Sequence, residues 1–162
     1  MRRMANPLRV RRRSLFWGAV ALALSALWLP TAHAAAPFVE NGVFRSFDGT
    51  AIAYFAPPGA GPQSRVPVVL MTHGWAGSRT RTLTGTVKDL LDRGYAVLTW
   101  DQRGFGESGG EANIDAQDYE VRDVRGLIDL MARRPEVLLD HPGDPRMGMI
   151  GASYAGGIQL MV

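Results

Sequence analysis

The sequence predicts an α/β fold, a mostly parallel sheet with flanking helices. Two short, nearly continuous apolar runs, at residues 66–71 and 95–100, suit strands covered on both faces. Residues 79–93 and 117–134 carry apolar side chains at helical spacing. A further strand at 146–150 runs directly into a helix opening at Ser153 or Tyr154. Apolar strands alternating with amphipathic helices imply parallel neighbours joined by right-handed crossovers.

The elements follow in order. Residues 42–47 and 50–55 alternate imperfectly around Asp48-Gly49, which reads as a hairpin turn between two edge strands. Residues 57–62, rich in Pro and Gly, form a surface loop. Pro67 fits the first central strand only at its start, before the ladder of hydrogen bonds begins. The helix over 79–93 presents Leu83, Val87, Leu90 and Leu91, and Gly94 is its C-cap. After the strand at 95–100 comes a glycine-dense loop, residues 101–110. The helix over 117–134 turns Tyr119, Val124, Leu127, Ile128 and Met131 inward, and residues 138–145 form a loop.

Charge separates the chain into two parts. Residues 1–34 hold six arginines and no acid, whereas residues 35–162 hold 12 basic and 15 acidic side chains, a net of −3. The basic character belongs to the first segment, so nucleic acid is excluded as a partner of the domain. The arginines at 2, 3, 9, 11, 12 and 13 precede a 16-residue apolar run, Pro30, and the small-x-small tripeptide Ala32-His33-Ala34. This is the pattern of a secretory signal peptide cleaved after Ala34, leaving a domain over 35–162. Arg12-Arg13 also fits twin-arginine export. An uncleaved anchor is the alternative, although the run is short of the roughly 20 residues that span a bilayer. Contact with a membrane is expected only through this leader. The absence of cysteine excludes a disulfide framework, a thiolate metal site and a Cys nucleophile.

The chemistry concentrates at Gly151-Ala152-Ser153-Tyr154-Ala155-Gly156, after a strand and before a helix. A G-x-S-x-G elbow holds a serine in a strained turn with its oxygen exposed, and small neighbours let the turn close. Gly151 supplies the first small position. Ala155 stands at the second, one methyl away from the strict pattern. Unpaired N–H groups at a helix start favour developing negative charge. The Tyr154 N–H is thus the first oxyanion donor, and the Trp75 N–H, in Thr72-His73-Gly74-Trp75, is the second. Gly74 permits that turn. Read alone, Gly-Ala-Ser-Tyr also describes an ordinary helix N-cap.

His73 ends a central strand, where its ring orients the oxyanion loop rather than acting as base. His141 is a surface histidine. The loop at 101–110 lacks the lysine and the glycine register of a phosphate cradle. Asp101 and Arg103 are instead expected to pair there and brace the loops. Trp75, Trp100 and Tyr154 lie at the carboxyl ends of strands, where such sheets bind ligands. They line an apolar pocket, or, for Trp100, pack in the core. No metal site and no cofactor is expected.

Together, His73-Gly74-Trp75, residues 101–110 and the segment 151–156 resemble the catalytic domain of the X-Pro dipeptidyl-peptidase and cocaine-esterase (peptidase S15-like) group of α/β-hydrolases. The resemblance covers residues 43–162. It implies a triad in the order Ser, Asp, His, with Ser153 as nucleophile, Tyr154 as adjacent oxyanion donor and Trp75 at the oxyanion-loop position. The family's Asp and His lie downstream of the elbow and have no counterpart before Val162. The chain therefore reads as an α/β-hydrolase domain truncated after the nucleophile elbow. The expected activity of the complete protein is acyl transfer to water from a small ester or peptide substrate, with the fragment itself inactive. A non-catalytic binding module or pseudogene remnant, and a secreted lipase or esterase, are the alternatives.

Overall fold

The computed structural model describes residues 40–57 and 65–162. The leader assigned to residues 1–34 and most of the loop at 57–62 lie outside the described residues.

Strands β1 (Glu40–Arg45) and β2 (Ala51–Ala56) form an antiparallel hairpin, Glu40 opposite Ala56 and Arg45 opposite Ala51. Its turn is closed by the Gly49 N–H donating to the Ser46 carbonyl at 2.9 Å, with Gly49 at φ 85°. Strand β3 (Val68–Thr72) leads into α1 (Gly85–Asp92), β4 (Ala96–Trp100) and α2 (Glu120–Ala132). A two-stranded hairpin follows, β5 (Leu139–His141) and β6 (Asp144–Pro145), and then β7 (Met147–Ile150) and α3 (Tyr154–Met161).

The five-stranded sheet has the order β1-β2-β4-β3-β7. It is mixed rather than mostly parallel. β4, β3 and β7 run parallel, while β2 is antiparallel to both β1 and β4. The hairpin turn reverses the chain before β2 joins β4, so β2 is an inner strand and only β1 lies at that edge. The parallel half brings the carboxyl ends of β3, β4 and β7 side by side, and the conspicuous residues of the sequence sit there.

Both faces of the sheet are covered. On one, α2 and α3 bury Val121, Val124, Leu127, Met131 and Ile158 against Ile52, Val68, Leu70, Leu98 and Trp100. On the other, Val87 of α1 packs with Phe55 and Val97. Each fully buried Leu, such as Leu70, Leu98 or Leu127, contributes about 1.5–3 kcal/mol of transfer free energy. Trp100 belongs to this core.

Three elements differ from the sequence-based expectation. Helix α2 starts at Glu120, so Tyr119, expected to turn inward from it, is its N-cap and stands exposed. Helix α1 starts at Gly85, not at 79, because the preceding residues are committed to β4. The Arg79 amide donates to Asp101 at 2.5 Å, and the Thr99 hydroxyl donates to the Thr80 carbonyl at 2.5 Å. The expected loop at 138–145 contains the β5–β6 hairpin, turned by Gly143 at φ 82° and braced by Arg146 on Asp140. Gly94 ends α1 as expected, at φ 84°, with its N–H on the Leu91 carbonyl at 2.9 Å. Among the described residues, no helix is long and apolar enough to cross a membrane.

Candidate active site

Ser153 stands between β7 and α3 with φ 58° and ψ −127°. This is the left-handed geometry of the first central residue of a type II′ turn, a position that favours glycine. An N-cap residue normally has extended backbone and a side chain bonded to the helix amides. Ser153 has neither, since its side chain makes no capping hydrogen bond. The ordinary-cap reading therefore does not hold, and the hydroxyl is left exposed at the sheet edge.

The turn closes because its neighbours are small. A Cβ on Gly151 would come within 2.5 Å of the Ala155 Cβ and 2.9 Å of the Ala155 carbonyl oxygen. The Ala155 methyl thus occupies space that Gly151 leaves open, which is how the departure from the strict motif is accommodated. Gln159 fastens the turn from the next helical turn, donating to the Gly151 carbonyl at 3.1 Å and to the Ala155 carbonyl at 2.7 Å.

The loop after β3 lies alongside. A Cβ built on Gly74 would sit 3.8 Å from the Ser153 Cβ, in ordinary contact. Gly74 is not the residue the turn demands. The left-handed position falls on Ala76, at φ 59°, and the close approach falls on Gly77, where a Cβ would come within 2.8 Å of the His73 Cβ. Among the described residues, neither the Trp75 nor the Tyr154 backbone N–H has an acceptor.

His73 joins the β3 and β4 ends. Its Nδ1 lies 2.8 Å from the Gly74 carbonyl oxygen, and its Nε2 accepts from the Gln102 N–H at 3.1 Å. One neutral tautomer, protonated on Nδ1, satisfies both bonds. Gln102 returns a bond from its side chain to the His73 carbonyl at 3.2 Å. Both ring nitrogens are therefore occupied. His141, the other described histidine, lies in β5.

Four rings gather here. Trp75 meets Phe105 and Tyr154 edge-on at 5.0 and 5.2 Å between centroids, Phe105 meets Tyr154 at 5.8 Å, and His73 meets Phe105 at 5.5 Å. Burial pushes the Tyr154 phenol up to about 12. Its oxygen accepts from the Asp115 N–H at 3.4 Å.

The expected Asp101–Arg103 pair does not form. The chain leaves β4 at Asp101 and turns, so the two side chains part. Asp101 takes the Arg79 guanidinium, the Arg79 amide and the Glu107 N–H, the last at 2.9 Å. Arg103 crosses to the hairpin and α2, reaching Asp123 at 2.7 Å and Asp48 at 2.6 Å. Its guanidinium lies 5.4 Å from both the Phe47 and Tyr119 ring centroids. Its hydrogen bonds to Asp123 hold the Arg103 guanidinium even more firmly protonated than usual, and its bonds to Asp48 hold that carboxylate well below the ordinary range. Each partner comes from a distant segment, so no local spacing signalled Arg79, Asp48 or Asp123. Phe105 was missed because it stands inside a loop conspicuous for glycine.

Asp115 is a further residue the sequence did not single out. It and Ile114 have left-handed backbones, φ 52° and 57°. Its carboxyl lies over Gly157 of α3, where a Cβ would collide with it, and its Oδ1 is buried without a hydrogen-bond partner. Burial, and then the negative charge of Glu120, raise its pKa from 3.8 to about 6. A carboxyl raised in the folded state imposes no cost at a pH where it is neutral in both states. The cost grows as pH rises past the unfolded value and is complete above the folded one. Asp115→Asn is therefore expected to stabilise the protein at pH 8 by on the order of 1–2 kcal/mol, after allowance for partial exposure, and to give no such gain at pH 4. Urea unfolding at the two pH values measures this, and an equal difference at both would rule it out.

Among the described residues, no group of three or more His, Asp or Glu side chains could hold a metal ion.

Comparison with known proteins agrees with this architecture. Residues 48–162 match the family profile described as X-Pro dipeptidyl-peptidase (S15 family). The quorum-quenching protein AidA of Acinetobacter baumannii is 35% identical over 116 residues, covering 70% of this chain and 36% of that protein. A 31.7 kDa protein from the traX-finO intergenic region of Escherichia coli is 29% identical over 110 residues, covering 68% of this chain and 36% of the relative. The chain thus spans about a third of the length of the curated relatives it matches. Among solved structures, an acetyl xylan esterase from Paenibacillus sp. R4 superposes with a TM-score of 0.62 at 22% identity, covering 76% of this chain and 43% of that one. That likeness concerns the fold, a central sheet with flanking helices of the general α/β-hydrolase kind.

Proposed function

The chain belongs to the X-Pro dipeptidyl-peptidase (S15) family of α/β-hydrolases, and on that premise we propose that it carries the nucleophile and oxyanion hole of a serine hydrolase acting on ester or peptide bonds. The observation that carries this reading is the backbone of Ser153. A non-glycine residue at φ 58° and ψ −127° is costly, and this one holds an exposed hydroxyl that caps nothing. Strain of that kind persists where the surrounding structure imposes it, and it clusters at functional sites.

In the proposed reaction, the Ser153 oxygen attacks the substrate carbonyl carbon as a histidine base takes its proton. The carbonyl oxygen becomes an oxyanion between the Tyr154 and Trp75 amides. The tetrahedral intermediate collapses to an acyl-Ser153, and the same histidine protonates the departing alcohol or amine. Water then attacks the acyl carbon by the reverse sequence and frees Ser153. In this proposal the base and its orienting acid come from the whole protein beyond residue 162, because His73 has both nitrogens engaged and His141 lies in the β5–β6 hairpin. Residues 35–162 alone are accordingly expected to show no useful turnover. Residues 1–34 are proposed to direct export, placing the enzyme in the cell envelope or outside the cell.

Intact-mass measurement of the native protein, with and without a fluorophosphonate, tests the reading. A protein heavier than residues 35–162 that takes one adduct, lost in Ser153→Ala, is the expected result. An adduct that survives Ser153→Ala would place the nucleophile elsewhere. A native mass equal to residues 35–162 with no adduct would favour a non-catalytic module.

A further inference from the structure

We propose that Phe105 is a positioning residue, holding the Trp75 amide where the oxyanion forms; the inference rests on Ser153 being the nucleophile. Trp75 is held by its ring, against Phe105 and Tyr154, and not through its own amide. It is 56% exposed, its amide has no internal acceptor among the described residues, and the next residue is the left-handed Ala76. A non-glycine residue in that region relaxes unless its neighbours prevent it. Relaxation at Ala76 would change the position of Trp75 relative to Ser153.

The prevention comes from the loop after β4, which is held from several sides. The Phe105 N–H donates to the Gln102 carbonyl at 3.0 Å, and the Ser108 N–H donates to the Phe105 carbonyl at 3.0 Å. The Ser108 hydroxyl donates to the Asp101 carbonyl at 2.7 Å and accepts from the Ala53 N–H at 2.8 Å. The Asp101 carboxylate ties this loop to Arg79. Phe105 is the ring through which this platform reaches the site, since it alone among the four meets each of the other three. Edge-to-face contact fixes the separation and tilt of rings more closely than aliphatic packing does. Phe105 therefore sets the spacing between the loop carrying Trp75 and the turn carrying Ser153 and Tyr154. It has no polar atom with which to act on substrate itself.

An oxyanion donor acts in the transition state and hardly at all in the ground state, so its displacement lowers kcat and spares KM. In the full-length enzyme acting on an activated acetyl ester, Phe105→Leu is expected to lower kcat about 10- to 100-fold with KM changed less than about threefold. Inhibition by a trifluoromethyl ketone, which mimics the tetrahedral intermediate, should weaken by the same factor as kcat. Phe105→Tyr keeps the ring and should stay within about threefold of the parent. A thermal scan checks that Phe105→Leu is folded, with Phe105→Met as the substitute if it is not. Unchanged kcat in a folded variant, or a loss carried by KM, would overturn the inference. If turnover proves independent of Ser153, the underlying reading fails instead. Ser153-dependent turnover that ignores Phe105 sinks this inference alone.

Discussion

Ser153→Gly is expected to make the protein more stable and catalytically dead. The wild-type backbone at φ 58° and ψ −127° lies where a Cβ is strained, and such positions cost on the order of 1–3 kcal/mol. Glycine removes the strain but adds freedom to the unfolded chain, which offsets roughly 0.5–1 kcal/mol. A net gain of about 1 kcal/mol remains, a few degrees in melting temperature. Ser153→Ala keeps the Cβ and so keeps the strain. The informative comparison is therefore between the two variants. Both should lose turnover by about 10⁴-fold or more in the full-length enzyme, and only the glycine variant should melt higher. A glycine variant that melts below the alanine variant would show that this backbone stores no appreciable strain.

The largest loss of stability is expected from Asp123→Ala. Arg103 and Asp123 side chains are each 3% exposed. Asp123 accepts two bonds from the guanidinium, at 2.8 and 2.7 Å, and a third from the Ser46 hydroxyl. Its removal leaves a buried guanidinium with only Asp48, 31% exposed, as a charged partner. Breaking one side of a buried pair typically costs about 3–5 kcal/mol, most of it from the charge left behind. Replacing both Arg103 and Asp123 with apolar residues should cost much less than the single change. Denaturant titration of the single and double variants measures the difference, and a double variant no better than the single would refute the buried-charge account.

The parts of the fold written in local pattern were legible. β3 and β4 follow from apolar runs, α2 from the spacing of Val124, Leu127 and Met131, and the turns at Gly49 and Gly94 from their glycines. What failed was pairing over distance. Asp101 and Arg103 look like partners because they are two residues apart, yet each finds its counter-charge on another element. α1 shortens because Arg79 and Thr80 serve β4 before the helix begins. Around Ser153 the strand-to-helix turn was legible, because a turn with small neighbours has a sequence signature. The turn beside it was misread at Gly74. Its strained residue is Ala76, and alanine gives no hint of a left-handed backbone.

Gly126 sits inside α2, where glycine is worth about 1 kcal/mol less than alanine. It persists there against the ring of Phe44 on β1, which a Cβ at 126 would strike. The two positions are therefore joined in their evolutionary freedom. A side chain at 126 is accommodated only if the Phe44 ring turns aside, and a smaller residue at 44 opens room for one. A change at either position is therefore felt at the other.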